Sequence, residues 1–184
     1  MLQTLSVPSA AHRLFFALKP SASVLHTSLF PIWRQARAAG IAPVPLANAH
    51  LTLVFIGAVD PGDLDRVRDL GAAVSMPPFE VLLDTVGYWA TGGVIWLGAT
   101  RPPPPLLELA QCLRRSLRQA ALPVSTSRFI PHVTLARHAP SPWRGTCALR
   151  WSIDRFFLLE SVAERGLPRY IVRRRFLLTP ATSP

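Results

Sequence analysis

A chain of 184 residues, 49% hydrophobic and 16% charged, is too apolar to stay disordered and long enough to bury a substantial core. No stretch reaches the roughly 18 uninterrupted apolar residues of a membrane helix, and the first residues lack a basic region followed by an apolar run and a small-residue cleavage site, so a cytoplasmic chain is expected. The formal net charge of +10, carried by nineteen arginines and one lysine, suits a polyanion such as RNA, although arginine in place of lysine also follows genome composition.

In chain order, Arg13 to Lys19 reads as a strand. Ser21 to Ala39 reads as a helix with apolar Val24, Leu25, Leu29, Ile32 and Ala36, kinked or started late by Pro31. A loop through Pro43 and Pro45 leads to His50-Leu51-Thr52-Leu53 and an apolar strand, then a helix over Pro61 to Val74 with Asp60 as its cap. Phe79 to Tyr88 and Val94 to Leu97 form strands around the turn Thr91-Gly92-Gly93. Pro102 to Pro105 stiffen the start of a helix whose Leu106, Leu109, Ala110, Leu113, Leu117 and Ala120 repeat at helical spacing. Its Arg114, Arg115 and Arg118 read as a solvated face, with guidance of RNA as the alternative. Phe129 to Arg137 is a second motif strand containing His132-Val133-Thr134-Leu135, and strands over Ile153 to Ser161 and Tyr170 to Leu178 follow, separated by Glu164-Arg165-Gly166-Leu167-Pro168. Cys112 and Cys147 stand apart and lack histidines at ligand spacing, which argues against a disulfide framework or a zinc site and for an inert thiol at Cys112.

The informative feature is the repetition of His-x-Thr-Leu. Side chains alternate along a strand, so each His/Thr pair shares one face while Leu51 and Leu53, like Val133 and Leu135, point into the core. A neutral imidazole takes a proton from water, a protonated one gives a proton to a leaving oxygen, and two hydroxyls hydrogen-bond a phosphoryl group, which suffices for phosphodiester hydrolysis without metal or cofactor. One His-x-Thr in a strand is more often structural than chemical; two in matching contexts reverse that balance. Either imidazole, with an ordinary pKa near ~6.5, could begin in either protonation state. Phe16 and Phe129 could stack on a base, but phenylalanine beside a strand is more often core. His12, His26 and His138 read as surface or capping residues, and Arg173, Arg174 and Arg175 as the mark of an edge strand.

With Arg13-Leu14-Phe15-Phe16-Ala17-Leu18, Phe55-Ile56-Gly57, Phe129-Ile130-Pro131, Arg137, Leu159-Glu160-Ser161 and Tyr170, the two motifs resemble the 2H phosphoesterase superfamily, and within it the RNA 2',3'-cyclic phosphodiesterases also described as 2'-5' RNA ligases. The chain departs from that pattern upstream of the first motif, where Val44-Pro45-Leu46-Ala47-Asn48-Ala49 replaces a tryptophan-containing segment. The resemblance implies an α+β fold over residues 1–184 as a single domain, made of two pseudo-symmetric lobes, each an antiparallel sheet with flanking helices, facing each other across an active-site cleft. It makes His50 the proton donor, His132 the proton acceptor, and Thr52 and Thr134 the phosphate-holding hydroxyls. It makes Arg137 a further substrate ligand, although strict alternation puts Arg137 on the face opposite His132 unless the strand ends or bulges there. It implies action on RNA with 2',3'-cyclic phosphate ends or on cyclic nucleotides, giving a 2'-phosphate; no cofactor is expected, and a monomer is the default where the sequence is silent on oligomeric state. The same site run in reverse would join RNA ends through a 2'-5' bond. A noncatalytic module that binds RNA or nucleotide is the reading from a different class.

Overall fold

The structure is a computed structural model and describes residues 11–164 and 167–179. Strand β1 (His12–Leu18) is buried on both faces from Leu14 to Leu18, which explains why it reads as a continuous apolar run and not as an alternation. Helix α1 (Ala22–Val24) is capped by the Ser21 hydroxyl, which accepts the Val24 N–H at 3.2 Å, and runs through a π turn (Leu25–Leu29) into α2 (Phe30–Ala38). Proline at 31 can neither donate to the Thr27 carbonyl nor sit close to it, and the helix widens by one residue just before it, with the Phe30 N–H reaching back to Leu25. The expected disturbance is thus a π turn within a nearly continuous helix.

Strand β2 (Leu51–Val59) carries the first motif, and a 3-10 turn (Pro61–Asp63) leads into α3 (Leu64–Ala72). Asp60 stands at the cap of that turn, but with its carbonyl, which accepts the Asp63 N–H at 2.9 Å, and not with its carboxylate. The strand expected over Phe79 to Tyr88 is two, β3 (Phe79–Leu83) and β4 (Thr85–Trp89), broken at Asp84, whose carboxylate accepts the Thr100 N–H at 2.7 Å and hydroxyl at 2.8 Å. Strand β5 (Val94–Gly98), helix α4 (Pro104–Gln119) and strand β6 (His132–Ala136) follow; β6 begins three residues later than the sequence predicts. Strand β7 (Leu149–Ile153) is not among the strands that the sequence predicts, and β8 (Arg155–Glu164) and β9 (Leu167–Leu177) are the last of the described strands. Part of the separator expected between the last two strands, residues 165–166, lies outside the described residues.

Two antiparallel sheets result, one of seven strands in the order β4-β5-β6-β2-β1-β8-β9 and one of two strands, β3-β7. The fold class is therefore α+β. The seven-stranded sheet reads symmetrically outward from its middle: β5, α4 and β6 on one side repeat β1, α1–α2 and β2 on the other, each an antiparallel pair joined through a helix. The two lobes are the halves of this sheet, and they meet edge to edge at the motif strands through one register pair, Leu51 opposite Val133. Leu51, Leu53, Val133 and Leu135 all enter the main core, packed with Ile32 and Ala36 of α2, Val67 of α3 and Leu106, Leu109 and Leu113 of α4. A second, small cluster of Phe15, Ala17 and Leu159, with Phe157 and Tyr170 against it, lies on the opposite face of the sheet. Among the described residues no helix is long and apolar enough to cross a membrane.

Candidate active site

The repeat in the sequence extends to the hydrogen bonds. His50 Nδ1 lies 2.6 Å from the carbonyl oxygen of Asn48, and His132 Nδ1 lies 2.7 Å from that of Ile130, in each case the residue two positions earlier. A carbonyl can only accept, so both Nδ1 atoms carry hydrogen and both Nε2 atoms are left for a substrate. Asn48 also donates from Nδ2 to the Pro168 carbonyl at 2.9 Å, which ties the start of β9 to the first motif. Lys19 Nζ donates to the Ala47 carbonyl at 3.2 Å in the same loop. The segment that departs from the family pattern spans the two motifs: the Val44 N–H donates to the Leu135 carbonyl at 2.8 Å, and the Val44 carbonyl accepts from Trp33 Nε1 at 3.0 Å.

Register explains where Arg137 goes. Ile95 stands opposite Ala136 while Trp96 stands opposite Thr134, so Leu135 is the extra residue of a β-bulge. Leu135 and Ala136 are consequently both buried, and the alternation resets so that Arg137, just past the strand end, returns to the face of His132 and Thr134. Its charge reaches His50, His132 and Tyr170 alike. The first motif has the same device: Phe16 pairs with Val54 but Ala17 with Thr52, so Leu53 is the extra residue and Phe55 takes the position equivalent to Arg137. Phe55 is 54% exposed, an aromatic where the other half presents a guanidinium.

Beyond Arg137 the chain is held by the β4–β5 turn. The His138 N–H donates to the Gly92 carbonyl at 3.0 Å and the Ala139 N–H to the Gly93 carbonyl at 2.9 Å. Gly93 has φ +56°, and a Cβ there would lie 2.4 Å from the Ala139 carbonyl oxygen, so glycine is needed both for the turn and for the close approach.

Aromatic rings flank both imidazoles. His50 packs against Phe15 at 5.2 Å and against the edge of Tyr170 at 4.7 Å between ring centroids. His132 packs against Trp89 at 4.6 Å and Trp96 at 6.4 Å. Burial among these rings drives the His50 pKa from 6.5 down to about 4, with further lowering by the positive charges of Lys19, His132 and Arg137 against an upward pull from the Asn48 carbonyl. His132 is lowered as well, by burial first and Arg137 second, against the Ile130 carbonyl. Both rings are therefore mainly neutral in the free protein near neutral pH. Burial raises the Tyr170 phenol.

The structure brings His50, His132 and Arg137 within electrostatic reach of one another, lines one cleft with Thr52 and His132, and leaves Thr134 half-buried on the strand between His132 and the bulge. Phe16 is core, packed edge-on against Phe156 and tilted against Phe176, whereas its neighbour Phe15 faces His50. Phe15 and Tyr170 enter the sequence pattern only through the family resemblance, with no place at the site attached to them, and Trp89 and Trp96 carry no signal in the sequence; all four flank the imidazoles. His26 and His138 are exposed as expected, but His12 is not a simple surface residue, since its Nδ1 lies 2.7 Å from Glu160. Cys112 and Cys147 are free and half-buried. Among the described residues no three His, Cys, Asp or Glu side chains gather as metal ligands would.

The family model of the 2'-5' RNA ligase superfamily matches residues 25–164. The chain is 33% identical over 181 residues to the RNA 2',3'-cyclic phosphodiesterase of Escherichia coli (strain K12), covering 93% of this chain and 99% of that protein. The crystal structure of E. coli LigT in apo form superposes with a TM-score of 0.82 at 31% identity, covering 93% of this chain and 99% of that one. The crystal structure of E. coli LigT complexed with 3'-AMP superposes with a TM-score of 0.83 at 30% identity, covering 92% and 99%. The match runs over almost the whole length of these relatives, and the chain belongs to the 2'-5' RNA ligase superfamily.

Proposed function

We propose that this protein hydrolyses the 2',3'-cyclic phosphate at an RNA end, or on a nucleotide, to a 2'-phosphate, with His132 as base and His50 as acid. The observation that carries the reading is the doubled constellation: two imidazoles with Nδ1 committed to a backbone carbonyl and Nε2 free, each followed two residues later by a threonine, on adjacent strands. A pure binding module needs phosphate donors but not two imidazoles oriented alike. The names of the relatives support the substrate class.

In this reading His132 Nε2 takes a proton from water as the water oxygen bonds to phosphorus. The P–O3' bond breaks and His50 Nε2–H gives its proton to the departing O3'. The Thr52 and Thr134 hydroxyls donate to the non-bridging oxygens, and Arg137 balances their charge. His50 must be protonated to act, and in the free site it is not. The phosphate monoanion of the substrate supplies the negative charge that Lys19 and Arg137 otherwise lack nearby, so substrate and proton bind together.

Purified protein incubated with a chelator and a nucleoside 2',3'-cyclic phosphate tests this directly. Turnover to the 2'-phosphate, falling about 100-fold or more in both His50→Ala and His132→Ala, is expected for an acid and a base. A cyclic substrate with sulfur in place of O3' separates the roles, because a thiolate leaves without a proton: it should restore much of the rate of His50→Ala and none of that of His132→Ala. Rescue of His132→Ala instead would reverse the assignment, and absence of turnover by the unmodified protein would remove the hydrolytic reading.

A further inference from the structure

From Thr52 and His132 a groove of about 200 Å³ runs away along β2 and the loop before β6. We propose that it holds the single-stranded RNA chain on the 5' side of the cyclic end, so that the site is built for an RNA terminus more than for a free cyclic nucleotide; the inference rests on the reading above. Thr52 and His132 form one end of the groove, and Phe55, Phe129 and Trp89 line it with aromatic surface. Arg114 enters from α4 and Arg128 from the loop before β6, no carboxylate lines the groove, and neither arginine has an acidic partner among the described residues.

The lining combines two things that single-stranded RNA offers together. Exposed Phe55, with half-buried Phe129 and Trp89 beside it, offers ring surface to an unstacked base, and guanidinium groups donate to the phosphate that joins it to its neighbour. A mononucleoside cyclic phosphate carries its only phosphate at the histidines and leaves Arg114 and Arg128 without an anion. The groove is also preformed: the Ser125 N–H donates to the Phe55 carbonyl at 3.0 Å, and Ser125 and Ser127 hydroxyls lie 3.1 Å apart, so the loop bearing Arg128 is fastened to β2. Arg114 is half-buried and turned to this groove while Arg115 and Arg118 remain on the exposed helix face, which divides a trio that the sequence presents as equivalent.

The test compares binding of a labelled RNA trinucleotide ending in a 2'-phosphate with binding of a nucleoside 2'-phosphate, for the unmodified protein, Arg128→Ala and Arg114→Ala, alongside turnover of a nucleoside 2',3'-cyclic phosphate. The trinucleotide should bind about ten-fold tighter or more, and each variant should lose most of that gain. In each variant the slope of log Kd against log salt should fall by about 0.7, the value for one phosphate contact on a single strand. Mononucleotide turnover should stay within about two-fold. A trinucleotide that binds no tighter than the mononucleotide, a gain that survives both substitutions, or displacement of the trinucleotide by an acidic peptide at equal concentration overturns the proposal. If mononucleotide turnover is absent while the arginine-dependent gain persists, the hydrolytic reading falls and the groove stands.

Discussion

At the scale of single residues, the two histidines are set apart by what surrounds them. His50 is the more strongly desolvated, and its pKa of about 4 against 6.5 in an unfolded chain has a thermodynamic consequence. Between those values the unfolded state binds the proton that the folded state refuses, so stability is fully present above pH 6.5 and is lost as pH falls toward 4. The loss attributable to this one ring is up to about 3 kcal/mol. Urea titrations at pH 7 and pH 4.5 should show a smaller decline for His50→Gln than for the unmodified protein, and equal declines would mean that the ring is not buried as described. The paired His-x-Thr motifs stand out from spacing alone, because the chemistry proposed for them needs particular atoms at fixed separations. Their aromatic neighbours do not: Tyr170 lies 120 residues from His50 in sequence, and only the pairing of β1 with both β2 and β8, and of β8 with β9, carries it there.

At the scale of elements, small irregularities decide where functional atoms point. The sequence locates the motif strands but not their bulges, since a bulge is a property of a pair of strands and neither partner alone announces it. Without the extra residue Leu135, Arg137 would be on the wrong face, and the alternation argued from sequence would hold. Trp96 illustrates the same dependence. It stands opposite Gly87 on β4, and a Cβ at Gly87 would lie 1.9 Å from its ring; Gly98 on its own strand would meet the ring at 2.6 Å. With Trp89 at 5.2 Å on another side, a displaced indole can move mainly toward His132. Gly87→Ala should therefore lower kcat about ten-fold or more with a smaller effect on thermal stability, because a misplacement near 1 Å at a reacting group is costly. Full activity in this variant would show that Trp96 does not position His132. Strand β7, of which the sequence reading reaches only Ile153, is short, follows a Pro- and Gly-containing loop, is parted from β8 by Asp154 alone, and belongs to a two-stranded sheet where it pairs with β3.

At the scale of the whole molecule, the halves are unequal in how they are fastened. Glu160 on β8 is 6% exposed and is held by His12 of β1 and by Arg173 of β9, so one buried carboxylate links three strands. Burial alone would raise its pKa, but hydrogen bonds from His12 and Arg173 outweigh it and keep the group ionised. Arg173 thus separates from exposed Arg174 and Arg175, a distinction invisible in a run of three identical residues on what is, as the sequence predicts, an edge strand. Replacing Glu160 with Ala leaves Arg173 without its anion and His12 without its hydrogen-bond partner, and should cost about 2–3 kcal/mol, read as a lower urea midpoint with an unchanged slope. A shift below about 0.5 kcal/mol would show that the triad contributes little. The strand order adds a consequence for synthesis. Among the described strands β1 is made first and is central, and one of its neighbours, β8, is made only after six intervening strands, with Leu14 opposite Glu160. A ribosome-bound chain can close β4, β5 and β6 around His132 while the half that carries His50, though translated earlier, still lacks its outer strands. The N-terminal histidine is thus the later of the two to reach its working environment, and a chain cut short before β8 would display both motifs in its sequence without ever assembling the pair.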